Sequence, residues 1–229
     1  MIGILGAMTA EIVQIGDLLN DPSTSEAGGR EYLTGTLGDQ EAVVAISGFG
    51  KVAAASTVTT MLDRFDPDSI VFTGVAGGLH PKVARGDVVV AEALVQHDFD
   101  GSPIVPRFVI PSLQVDRIPT DSTLTDRAAA SAAMISGVTV HRGLVLSGDR
   151  FISAANERAR LRALFDDALA VEMEGAAVAQ VCAERKVPFA VIRAISDTAD
   201  EAAAPDFLEF IEEQAAPMLA TILFGMVPG

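Results

Sequence analysis

The chain has 229 residues, 49% of them hydrophobic, which is long and apolar enough for one sizeable core, so a single domain over 1–229 is expected. A formal net charge of −15 repels phosphate backbones and anionic membrane surfaces, so neither nucleic acid nor a membrane is expected as a partner. One cysteine, Cys182, excludes an intrachain disulfide and fits a reducing compartment.

In chain order, "IGIL" at 2–5 reads as a first strand. "MIGILGAMTAEI" has no basic leader, and Glu11 interrupts the apolar stretch too early for a secretory signal, so a cytoplasmic protein is expected. A helix over about 9–20 follows, then strand "AVVAIS" at 42–47, a helix over 51–64, and strands "SIVFTG" at 69–74 and "DVVVAEALV" at 87–95. The segment 97–121 carries four prolines and one glycine and reads as an irregular excursion of the kind that lines a site or an interface. Beyond it come helix 122–133, strand "VTVHRGLVLS" at 138–147, helix 155–164, an extended apolar run before helix 174–185, strand "PFAVIRAIS" at 188–196 and helix 206–225. These strands are apolar almost throughout instead of alternating, which predicts burial on both faces and an α/β sheet with helices on each side.

Several motif classes fail. "SGFGKVAAA" at 47–55 resembles a phosphate loop, but Ala45 and Val52 stand where a Walker sequence needs glycine and a hydroxyl residue. His80, His97 and His141 share no ligand spacing, and no GxSxG elbow exists, so neither a metal nor a serine nucleophile is expected, nor any cofactor. "TGVAGGL" at 73–79 follows a strand, where Gly74, Gly77 and Gly78 either make a tight turn or let backbone amides approach a ligand.

Carboxylates carry the remaining chemistry. In "LAVEMEGAAVAQVC", alternation in an extended segment sets Glu172 and Glu174 on one face, a site or water, although Glu174 alone also suits a helix N-terminus. Asp197 ends an apolar strand as a helix cap or a site residue. Arg193 lies inside that strand and needs a carboxylate to meet. Glu11, in the first turn of a helix, is either a dipole partner or a third acid at the same sheet rim.

Together "GAMTAE", "SGFGKVAAA", "TGVAGGL", "SGDRFI", "VEMEGAAVAQVC" and "RAISDTAD" resemble the 5′-methylthioadenosine/S-adenosylhomocysteine nucleosidases of the purine nucleoside phosphorylase superfamily, in family order from about residue 2 to 210. The resemblance implies a three-layer α/β/α sandwich with a central mixed sheet, a homodimer, and cleavage of the N-glycosidic bond of adenine nucleosides in methionine salvage. It implies that Glu11 is the general base for water and Asp197 the acid at adenine N7. It further implies that Glu174 holds the ribose hydroxyls, with the Met173 backbone and Arg193 nearby. Phe151 would stack on adenine, the Ile152 backbone would pair with its edge, Gly77 would lie against the nucleoside, and Phe207 would help close the pocket.

Thr9 and Ala10 depart from acidic residues common in that family, and the stretch after "HDFD" lacks the usual continuation, which leaves the preferred 5′ group open. A phosphorylase is disfavoured because an anionic Glu11 repels phosphate. A nucleoside-binding sensor is disfavoured because binding alone needs neither a base nor an acid.

Overall fold

The computed structural model describes residues 1–197 and 207–227, apart from the side chains of 207 and 208. Its elements are β1 (Ile2–Gly6), α1 (Thr9–Asp17), β2 (Asn20–Ala27), β3 (Arg30–Leu37), β4 (Gln40–Ile46), α2 (Lys51–Phe65), β5 (Ser69–Gly78), β6 (Val88–Gln96) and β7 (Ile118–Pro119). These are followed by α3 (Ser122–Ala133), β8 (Val140–Ser147), α4 (Ala155–Leu164), β9 (Ala168–Glu172), α5 (Gly175–Arg185), β10 (Phe189–Asp197), α6 (Phe207–Phe210), a π-turn (Ile211–Ala215) and α7 (Ala216–Met226).

The strands join one mixed sheet. Side chains in it alternate between two cores, as a pleated strand requires. Leu5, Val43, Ala45, Ile70, Phe72, Val191 and Ile195 pack on the face covered by α2 and α5. Ile4, Ala42, Val44, Val71, Ile192 and Ala194 pack on the face covered by α1, α3 and α7. This is the expected three-layer α/β/α arrangement, and burial on both faces explains why the strands read as unbroken apolar runs.

β5 is the hinge of the topology. Its first half pairs in parallel with β1, from Ser69 to Phe72. Its last two residues, Gly77 and Gly78, pair instead with β9. On its other edge it runs parallel to β10 throughout. Pairings of β10 with β6, β6 with β8 and β8 with β9 then close a ring of strands, while β1, β4, β3 and β2 continue outward as an open wing. Where β1 leaves β5 and β9 has not yet joined, residues 73–76 face a cleft on that edge. Open α/β sheets bind ligands at such divergences.

Three local departures from the sequence expectations have physical causes. The hairpin β2–β3 fills the stretch before the strand at 42–47, where the sequence assigns no element; β2, "NDPSTSEA", is polar and exposed, an edge strand with no apolar pattern to announce it. The first helix stops at Asp17 rather than residue 20 because the chain turns there into β2. The C-terminal helix is broken by the π-turn just ahead of Pro217, whose ring supplies no N–H to the preceding turn. The excursion after His97 is irregular, with one isolated bridge between Ile110 and Val115 before β7.

Candidate active site

Glu11 occupies the divergence. In the first turn of α1 it reaches back so that Oε2 accepts from the amides of Ala7 (2.8 Å) and Met8 (2.9 Å), and forward so that Oε1 accepts from Val75 on β5 (3.0 Å). The carboxylate thus satisfies an amide on the cleft edge of β5. Gly74 makes this approach possible, since a Cβ there would lie 2.6 Å from Oε1. Glu11 is only 2% exposed. Burial holds its carboxyl above the ordinary range, partly offset by Arg193 and the three amides. A carboxylate so raised is a stronger base than one in water.

The two glutamates of "VEMEG" prove to be different in kind. Glu172, the last residue of β9, is fully engaged: Oε2 meets Nη2 of Arg193 at 2.7 Å, both oxygens accept from the Gly175 amide (3.0 and 2.8 Å), and Ser147 donates its hydroxyl to Oε1. Glu174 stands at the N-cap of α5 and accepts on Oε1 from the Gly50 amide, 2.7 Å away and 124 residues distant in sequence. Burial and the neighbouring Glu172 push the Glu174 carboxyl up to about 7, with Gly50 and Arg193 opposing. Arg193 itself is 1% exposed, donates from Nη1 to the carbonyls of Phe72 and Ile192, and lies over the Phe72 ring at 4.3 Å. The carboxylate that the sequence required for this arginine is therefore Glu172.

Asp197 ends β10, beside Gly77. A register shift lets Asp197 pair with Gly77 although Ile195 pairs with Ala76, and Ser196 within the bulge donates its hydroxyl to Oδ2 of Asp197 at 2.6 Å. Bulges of this kind re-aim side chains beside functional sites. Ala7, Met8, Glu11, Phe49, Val75, Ala76, Gly77, Arg150, Phe151, Ile152, Val171, Glu172, Met173, Glu174, Ser196 and Asp197 line one open pocket of about 560 Å³, its mouth included. That volume suits a nucleoside-sized ligand.

Comparison with known proteins agrees with this fold. The phosphorylase superfamily model matches residues 1–227. The chain belongs to the phosphorylase superfamily. Within that superfamily it is similar to the 5′-methylthioadenosine/S-adenosylhomocysteine nucleosidase of Neisseria meningitidis, solved with methylthio-immucillin-A: 34% identity, TM-score 0.93, covering 98% of this chain and 97% of that one. The nucleosidase of Colwellia psychrerythraea, solved with adenine, matches at 34% identity and TM-score 0.92 over 98% of this chain and 93% of the other. A futalosine hydrolase mutant of Helicobacter pylori matches at 37% identity and TM-score 0.90, over 98% and 97%.

Against this superfamily frame, the fold brings Glu11, Gly77, Phe151, Ile152, Met173, Glu174 and Asp197 onto one pocket. Arg193 does not line it; this residue sits behind Glu172 and Glu11 as their counter-charge. Phe207 begins α6, but its side chain lies outside the described residues. Cys182 is buried in α5, where desolvation pushes its thiol up to about 12, in keeping with a packing role. Sequence reading missed Phe49 and Arg150. Phe49 sits in the motif set aside as a failed phosphate loop, and Arg150 in "SGDRFI"; only the folded chain shows that both turns meet the pocket. Among the described residues no group of His, Cys, Asp and Glu is arranged to hold a metal ion, and no helix is long and apolar enough to cross a membrane.

Proposed function

We propose that the protein hydrolyses the N-glycosidic bond of 5′-methylthioadenosine and S-adenosylhomocysteine, releasing adenine and the 5′-thio-substituted ribose, a step of methionine salvage. The observation that carries this reading is the convergence of Glu11, Glu174 and Asp197, from three distant parts of the chain, on one pocket. In the proposed reaction the C1′–N9 bond breaks with its electrons going to the purine, and ribose becomes cationic. Asp197 donates a proton at N7. Glu11 takes a proton from water as the water oxygen bonds to C1′. Acid and base thus act on opposite sides of the breaking bond, as in glycoside hydrolysis. Glu174 holds the ribose hydroxyls and its charge favours the cationic sugar. Phe151 stacks on adenine, the Ile152 backbone pairs with the base edge, Gly77 and Met173 flank the nucleoside, and Arg193 fixes the acids from behind.

A homodimeric unit would account for exposed apolar side chains: Phe49, 67% exposed on the pocket rim, Val52 on α2 and Ile104 in the excursion after His97. A cytoplasmic setting fits the single, buried cysteine. Likeness to a futalosine hydrolase, together with the departing sequence after "HDFD", makes a larger 5′ substituent the second reading. Release of the free purine by purified protein, adenine from methylthioadenosine and S-adenosylhomocysteine and hypoxanthine from futalosine, measured with and without phosphate, tests this reading. Phosphate-independent release from the two thio-nucleosides is expected. Phosphate dependence contradicts the water mechanism, and release from futalosine alone transfers the assignment to the second reading.

A further inference from the structure

"SGFGK" has the lysine of a phosphate loop without the loop, which leaves Lys51 to be explained. Lys51 opens α2, and its Nζ is 2.7 Å from Oδ1 of Asp98 and 3.2 Å from Oε1 of Gln96, where β6 leaves the sheet. Its backbone amide donates to Oδ1 of Asp149, 2.7 Å away in the turn between β8 and α4. Asp98 closes the circuit by accepting on Oδ2 from the Asp149 amide at 2.9 Å. Three segments remote in sequence are thereby tied at one point, with the ammonium and the Asp98 carboxylate 18% and 28% exposed. Partial burial raises the strength of such a pair above that of an open surface pair.

Gly50 is what this knot holds. It has φ +87°, and a Cβ there would sit 2.9 Å from Oδ1 of Asp149, so the turn needs glycine. Its amide donates the one hydrogen bond that the described residues give the Glu174 carboxylate. The other charged groups acting on Glu174 do not orient it: Glu172 and Glu11 repel it, and Arg193 is engaged by Glu172. We propose that Lys51, Asp98 and Asp149 form a latch that positions Glu174 for the sugar by fixing the Gly50 amide against its Oε1. Oε2 is thus left for ribose hydroxyls. The three are positioning residues, and the inference rests on the nucleosidase reading for what Glu174 grips.

Lys51→Met keeps the aliphatic stem and removes the charge. The expected result is a KM for methylthioadenosine raised about tenfold with a smaller change in kcat, the size of one charge-assisted hydrogen bond. The acid limb of the kcat/KM profile should move to higher pH, because the amide that favours ionised Glu174 is no longer held. Lys51→Arg, which still reaches Asp98, should restore both. By NMR, the Gly50 amide should exchange at least about tenfold faster in Lys51→Met than in wild type, and its shift in wild type should follow the Glu174 titration. A lowered melting temperature with unchanged KM, pH limb and Gly50 exchange makes the knot merely structural and overturns the latch. Should Lys51→Met not fold, Asp98→Asn is measured in the same way, and a Gly50 amide in wild type that is indifferent to pH overturns the proposal without any variant. Wild-type protein that releases no adenine sinks the nucleosidase reading instead, while Gly50 exchange still reports on the latch.

Discussion

The two ends of the pocket are built on opposite principles. At the floor, Glu11, Glu172, Glu174, Asp197 and, behind them, Arg193 are each less than a tenth exposed, and backbone amides, Ser147, Ser196 and one another hold them in place. At the rim, Phe49 and Phe151 are more than half exposed. The buried end is complete within one chain, because charges removed from water must be paired before folding is favourable. The apolar rim carries no such requirement. Buried charges and exposed aromatic rings are thus separated in space, and that separation can be probed from each side.

The largest effects belong to the buried end. Glu11→Gln or Asp197→Asn should each lower turnover by about 10²–10⁴ while the protein stays folded, and near-normal kcat in either removes that residue from its role. Next comes Arg193→Met, which strands Glu172 without its cation and should cost about 3–5 kcal/mol in denaturant unfolding. A midpoint unchanged from wild type means that the pair contributes nothing.

Glu174 gives a smaller, pH-dependent effect. Its carboxyl is raised from 4.5 to about 7, so the fold favours the protonated form. The stabilisation is fully present below about 4.5 and is lost as pH rises through about 7. Relative to Glu174→Gln, wild type should therefore lose on the order of 3 kcal/mol of unfolding free energy between those limits. Parallel stability curves for the two proteins contradict the shift. The smallest change is on the exposed face of α2: Val52→Asp should move the proposed dimer toward monomer in sedimentation and leave the intrinsic fold intact. A protein that sediments as a monomer before mutation ends the comparison at this point.

Strands buried on both faces announce themselves as continuous apolar runs, which is why β1, β4, β5, β6, β8 and β10 were legible. The β2–β3 hairpin was not, because an edge strand facing water on both sides has no hydrophobic signature. Likewise Arg193, a cation inside an apolar run, demands a carboxylate on sequence grounds alone. Which of the two glutamates it would take was undecidable from alternation, since both lie on the same parity of an extended segment. The chain leaves β-geometry at Glu174, with φ −132° and ψ −38°, and that bend sends Glu172 to the arginine and Glu174 to Gly50.

Local composition by itself determined the layered α/β class, the absence of a phosphate loop, and a short roster of acidic residues too costly to bury without purpose. Tertiary structure decided how those acids divide their work. Pairing register alone makes β5 change partner from β1 to β9, opens the cleft that Glu11 fills, and brings turns from residues 50, 98 and 149 together. Hydrogen-bond partners separated by a hundred residues leave no trace in nearest-neighbour pattern, because what selects them is the free energy of satisfying buried polar groups in three dimensions.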